Sequence, residues 1–190
     1  MRRGRGGGFS CSKGFLVLLA LLIYLDGQGI VLRALLACAL HECGHWVVIR
    51  ALGGRVSALR LSAVGAEMRL DQAHALSYLG EAAAALAGPA VNLLAAFAAA
   101  RGGYYLFAGV NLCFGILNLV PAAPLDGGRA LGCILGQFSP RCAETVAGLA
   151  APVFAGGLLG LGAAAWKWWG NLSLLLVGLW LLIRTLKWAE

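Results

Sequence analysis

Apolar residues along this chain gather in long, nearly unbroken runs. Six of these occur, over residues 14–25, 30–52, 78–100, 104–120, 146–166 and 172–186. A helix needs about 20 mostly apolar residues to cross a bilayer, so the runs predict six spanning helices, the first of them short. Gly88-Pro89 interrupts the third, and the fourth runs into a Pro/Gly-rich stretch at 121–128. Residues 55–70, between the second and third runs, read RVSALRLSAVGAEMRL. Their partial alternation predicts two short strands around Gly65, a hairpin, with an irregular amphipathic loop as the alternative. A strand edge cannot face lipid, so such a hairpin must be buried in protein or lie at the interface. The expected architecture is an all-α membrane protein, a six-helix transmembrane bundle with a short β-hairpin or re-entrant segment after its second helix.

Composition agrees with a bilayer setting. The chain is 61% hydrophobic and 12% charged, whereas soluble domains run at roughly 45–50% and about 25%. Its net charge of +7 does not point to nucleic acid, because no basic stripe interleaved with aromatics is present. The charges fall between the apolar runs instead. With six spans, twelve Lys and Arg residues lie on the side of both termini and three on the other, Arg33, Arg101 and Lys167. Positive charge collects on the cytoplasmic side of membrane proteins, so both termini are expected in the cytoplasm. Residues 1–13 read as a flexible basic leader, with a glycine-rich piece at 4–8, ahead of a single domain over 14–190. No small-residue cleavage site follows the first run, which argues for an uncleaved span.

Six cysteines are present, none in a C-x-x-C pair and most within or beside apolar runs. They read as small buried hydrophobes rather than a disulfide framework or thiolate site. Cys43 lies among the polar residues of the second run, but it points in a different direction from the flanking histidines on a helix.

Those polar residues are His41-Glu42-Cys43-Gly44-His45. Residues four apart share a helix face about 6 Å apart in rise, so two imidazoles can grip one metal ion, with Glu42 placed as a proton acceptor for water. Gly44 removes side-chain bulk and lets another segment approach. Three ionisable groups on a spanning helix are costly unless compensated, and metal coordination supplies the compensation. A polar cluster satisfied by other helices, or a proton relay, is the alternative.

A catalytic zinc site needs a third protein ligand and one open position. Among the remaining carboxylates, Asp26 and Glu190 lie at span ends or tails, Glu67 and Asp71 in the loop region, and Glu144 ahead of the fifth run. Glu81 stands near the membrane entry of the third. Asp126 lies in the Pro/Gly-rich break after the fourth run, and broken helix at membrane depth is tolerated only where it is buried in protein or lines a cavity. Asp126 is therefore the best third ligand. His74, in a polar loop, is the alternative.

Together these residues resemble a known family. HECGH at His41, GPAVN at Gly88 and NLVPAAPLDGG at Asn118 occur in the order and spacing of the site-2 protease family of intramembrane metalloproteases, most like its bacterial stage IV sporulation group. The likeness covers a core over residues 30–129. It implies one zinc ion per chain held by His41, His45 and Asp126, with Glu42 as general base. It further implies proteolysis in or beside the transmembrane segment of a membrane-tethered protein, such as a pro-sigma or anti-sigma factor, in a bacterial cell membrane. Asn92 and Asn118 look like family polar residues near the active site, where a substrate role competes with helix–helix hydrogen bonding. The hairpin implies a guide for an extended substrate by strand addition. Sporulation members often carry a C-terminal nucleotide-sensing domain. This chain ends just after the sixth run, so such control is expected to be absent or supplied by a partner membrane protein. A metal transporter or proton-coupled carrier would use the same ionisable residues, but carriers show paired broken helices in matching half-repeats, and only the fourth run ends in such a break.

Overall fold

Asp26 ends the first helix and starts the second. In the computed structural model, which describes residues 8–62, 65–71 and 74–188, its carboxylate accepts from the backbone N–H groups of Ile30 at 2.9 Å and Val31 at 2.7 Å. Helix N-termini leave such groups without partners in the helix, and a carboxylate satisfies them. The turn between them joins α1 (Lys13–Leu25) to α2 (Ile30–Ala51).

Strand β1 (Phe9–Cys11) precedes α1, and β2 (Val56–Ser62) and β3 (Gly65–Leu70) follow α2. The expected hairpin is present: β2 and β3 pair antiparallel, with Ser62 opposite Gly65. β1 pairs parallel with the other edge of β2, Ser10 opposite Arg60, giving the order β1-β2-β3. The fold therefore departs from the expected helices and hairpin by one added strand, which makes a three-stranded sheet. The expected leader is corrected at Phe9–Cys11, which is strand; apart from Gly8, its glycine-rich piece lies outside the described residues.

The helices continue with α3 (Tyr78–Arg101), α4 (Tyr105–Leu119), α5 (Asp126–Gly136), α6 (Pro140–Trp169) and α7 (Ser173–Trp188). Pro89 does not interrupt α3, which runs through it. Helix α5 was not expected, because Asp-Gly-Gly reads as a break. Of the described helices, α2, α3 and α6 are long and apolar enough to cross a membrane; α1, α4 and α7 are shorter apolar helices.

Helix α3 lies at the centre, packed against α2, α4 and α5, while α6 and α7 pair with each other and α5 bridges to α6. Small side chains make this possible. The buried core is rich in alanine (Ala37, Ala82, Ala84, Ala85, Ala96 and Ala108 among them), whereas Val17, Leu94, Phe97 and Val153 face outward, each about 70% exposed. Lipid offers no hydrophobic drive between helices, so close backbone approach through small residues holds such a bundle together. Gly44 is one point of approach, where an added Cβ would stand 2.7 Å from the Ala87 carbonyl of α3.

Candidate metal centre

Ala37, His41, Gly44, His45 and Ile49 are the buried residues of α2, a stripe at helical spacing that faces α3. His41 and His45 thus project inward from consecutive turns, their rings edge to face with centroids 4.6 Å apart. Room for them comes from Gly88 on α3, where a Cβ would fall 2.5 Å from His45 Nε2 and 2.8 Å from His41 Nε2.

The third group arrives with α5. The segment after α4 folds back so tightly that Gly127 and Gly128 lie against backbone of Leu119, Val120, Ala122 and Ala123, where no Cβ fits. That return sets Asp126 at the first residue of α5, buried. A carboxylate suits a helix N-terminus, where the backbone dipoles present positive charge. Asp126 Oδ2 lies 2.9 Å from His41 Nε2 and 3.3 Å from His45 Nε2, and the two Nε2 atoms are 3.0 Å apart. Its Oδ1 faces the Arg129 guanidinium at 3.7 Å, one turn on.

Hydrogen bonding on the far side of each ring decides what this triangle can hold. His45 Nδ1 lies 2.7 Å from the Ala84 carbonyl, and a carbonyl only accepts, so Nδ1 carries the proton. His41 Nδ1 lies 2.6 Å from Asn92 Oδ1. The Asn92 amide nitrogen is occupied as a donor to Ala37 O at 3.0 Å and Asn111 Oδ1 at 2.8 Å, so Oδ1 is the atom that faces His41 and it too accepts. Both rings in their neutral form therefore turn an Nε2 lone pair toward a carboxylate oxygen. Two lone pairs and an anion converging on one point fit a cation. Nitrogen and oxygen ligands about 2.0–2.2 Å from a tetrahedral zinc stand roughly 3.3–3.6 Å from one another. The observed triangle reaches that spacing by opening a few tenths of an ångström. The residues fit zinc.

Glu42 is half-buried on α2 beside His41 and is not one of the three convergent groups. Its carboxyl is within electrostatic reach of His41, His45, Asp126 and Arg129. Cys43 is exposed and all six cysteines are free thiols. His74 pairs with Asp71 at 3.3 Å in its own loop, away from the triangle. Asn118 donates to the Phe114 carbonyl one turn back in α4. Of the two roles weighed for Asn92, its contacts match helix–helix hydrogen bonding: it has no exposed surface, and both ends of its amide are engaged by α2 and α4. Sequence reasoning missed Asn111, and it noted Gly88 as part of a motif without its role of making room for the imidazoles. An amide in the middle of the apolar run 104–120, one turn and more before Asn118 at its end, was the available signal for the first, since polar groups at membrane depth are costly.

No family model matches the chain. Over 110 residues it is 32% identical to a zinc metalloprotease of Methanocaldococcus jannaschii, a match that takes in 52% of this chain and 32% of that protein. Over 137 residues it is 31% identical to Rip3 of Mycobacterium tuberculosis, which bears a zinc-metalloprotease name, covering 61% of this chain and 33% of that one. The chain thus spans about a third of the length of the curated relatives it matches. In three dimensions it superposes on the site-2 protease from Methanocaldococcus jannaschii with a TM-score of 0.70, over 98% of this chain and 93% of that one, at 22% identity. At that identity the likeness is one of fold. The resemblance carried by the three motifs is therefore met by zinc metalloproteases in sequence and by a site-2 protease in fold.

Proposed function

We propose that this chain is an intramembrane zinc metalloprotease of the site-2 type, hydrolysing a peptide bond in or beside the transmembrane segment of a membrane-tethered protein. One observation carries the reading: His41 Nε2, His45 Nε2 and Asp126 Oδ2 converge from α2 and α5, within 3.3 Å of one another, with both imidazole lone pairs turned inward.

The ligands are His41, His45 and Asp126. When bound, zinc supplies a Lewis acid that activates water and polarises a peptide carbonyl. Glu42 takes the proton from the attacking water and returns it to the leaving amine. Asn92 and the Ala84 carbonyl hold the two imidazoles by their Nδ1 protons, which fixes ring orientation as partners of metal-bound histidines do. The Arg129 guanidinium, 3.7 Å from Oδ1 of Asp126, attracts that oxygen electrostatically, while Oδ2 faces the two histidines. A transmembrane helix must unwind before its peptide bond can be reached, and with β2 paired on both sides the outer edge of β3 offers strand pairing for the extended segment.

The six apolar helices are read as six spans, three of full length and three short, with both termini in the cytoplasm on the strength of the charge asymmetry. Water then enters from the cytoplasmic side, because Arg50 follows His45 by five residues, roughly 7–8 Å along the helix. The sporulation group, a bacterial cell membrane and a pro-sigma or anti-sigma substrate rest on the motifs, and partner membrane proteins would regulate access.

Co-expression with a tethered transcription factor tests the reading. The parent chain is expected to release the factor, and Glu42→Gln to lower release by roughly 10²–10⁴-fold, the usual contribution of a general acid–base group, with zinc still bound. Unchanged cleavage by Glu42→Gln would show that Glu42 is not the base.

A further inference from the structure

Asn111 lies in the middle of α4, among apolar neighbours, with no exposed surface. Its amide nitrogen donates to the Phe107 carbonyl at 3.0 Å, one turn back in the same helix. That bond anchors the side chain locally and turns its Oδ1 toward α3. There Oδ1 accepts from Asn92 Nδ2 at 2.8 Å. The other Asn92 amide proton goes to the Ala37 carbonyl of α2 at 3.0 Å. With both protons used, Asn92 presents only its oxygen to His41 Nδ1, at 2.6 Å.

Each link in this chain has one direction. Flipping the Asn111 amide would set its N–H₂ against that of Asn92 and its oxygen against the Phe107 carbonyl. Flipping Asn92 would set N–H₂ against His41 Nδ1–H and oxygen against two acceptors. Carbonyls at both outer ends, Phe107 and Ala37, are fixed acceptors, so the whole arrangement has a single self-consistent state.

We propose that Asn111 is a positioning residue of the metal centre: acting through Asn92, it keeps the proton of His41 on Nδ1 and the Nε2 lone pair aimed at the point shared with His45 and Asp126. The inference rests on the metal site described above and extends it to α4, a helix that supplies no ligand. Three helices, α2, α3 and α4, thus set one imidazole. An asparagine serving only to hold α4 against α3 would affect the bundle without acting through Asn92 on the metal.

The test is zinc retention by the full chain in detergent, read as the rate of transfer to a chromogenic chelator. Partners of metal ligands typically contribute about 10–100-fold in affinity. Asn111→Ala is expected to release zinc roughly tenfold or more faster than the parent, and Asn92→Ala likewise. In the Asn92→Ala background, Asn111→Ala is expected to add nothing, because the route through Asn92 is already cut. Asn111→Asp, as the neutral acid at this apolar depth, keeps a donor toward the Phe107 carbonyl and an acceptor toward Asn92 and is expected to hold zinc more nearly as the parent does; it is the second variant should the alanine form fail to fold. Parental release by Asn111→Ala, multiplying effects in the double variant, or release by Asn111→Asp as fast as by Asn111→Ala overturns the proposal. A parent chain that takes up no zinc overturns the metal site itself, and this inference with it.

Discussion

Gly88 of α3 stands directly against His45 of α2: a Cβ at Gly88 would lie 2.5 Å from His45 Nε2, the atom that faces Asp126, and 2.6 Å from Cε1. Separations that short are far inside van der Waals contact, so the glycine is a condition for the imidazole pair to occupy its place. Gly88→Ala would push both rings off the shared point. Overpacking of this kind costs about 1–3 kcal/mol, which corresponds to roughly fivefold to 150-fold weaker zinc binding if the whole cost falls on the metal site. Metal content after dialysis at fixed free zinc checks this, and an alanine variant that keeps its full zinc would contradict it.

Asp126 carries the link between the two halves of the site. Asp126→Ala removes the one ligand that does not come from α2, and leaves two lone pairs without the anion that faces them. The expected loss of zinc affinity exceeds the roughly 10–100-fold typical of residues that only support a ligand. Isothermal titration of zinc into the variant and the parent measures it. Equal affinity would remove Asp126 from the ligand set.

Helix α5 offers its own comparison of glycines. Gly128 lies against the Ala122 and Ala123 backbone, whereas Gly132, one turn on, has nothing within 4 Å of a Cβ. Gly128→Ala is expected to displace the start of α5 and with it Asp126, lowering the thermal midpoint and zinc content together. Gly132→Ala should leave zinc unchanged and gain about 0.5–1 kcal/mol from helix propensity. Thermal unfolding of the two variants side by side reads the contrast.

Removal of metal separates fold from activity. Much of the contact of α3 with α2 and α4 lies away from the ligands, as where Gly44 meets Ala87 and Gly115 meets Pro89 and Leu93, so a chelator is expected to abolish cleavage while leaving helical circular dichroism essentially intact. Added zinc should restore cleavage. Loss of helical signal on chelation would mean that the ion is structural.

Much of this was legible in the chain. The apolar runs foretold the helices because length and hydropathy are local properties, and His41, Glu42 and His45 declared themselves by spacing on one helix. Asp126 was reached by elimination, since a carboxylate among Pro and Gly after an apolar run has few other uses. The rest depended on distant partners. Strand β1 has only three residues and exists through its pairing with β2, which no local pattern announces. Helix α5 begins on Asp-Gly-Gly, residues that look like a break until Gly127 and Gly128 are seen to admit the backbone of the preceding turn. Asn92 was visible as a polar residue in a membrane helix, but its direction of hydrogen bonding depends on Asn111, nineteen residues away, and on Ala37 in another helix.

X-ray absorption at the zinc edge, recorded on the purified chain, tests the proposed ligand set most directly. The expected spectrum shows two imidazole nitrogens and oxygen ligands at about 2.0–2.2 Å, with no sulfur at about 2.3 Å, and zinc lost when His41 and His45 are both replaced by alanine. A sulfur shell, which would bring in Cys43 or another thiol, or a full zinc complement in the double alanine variant, would contradict it.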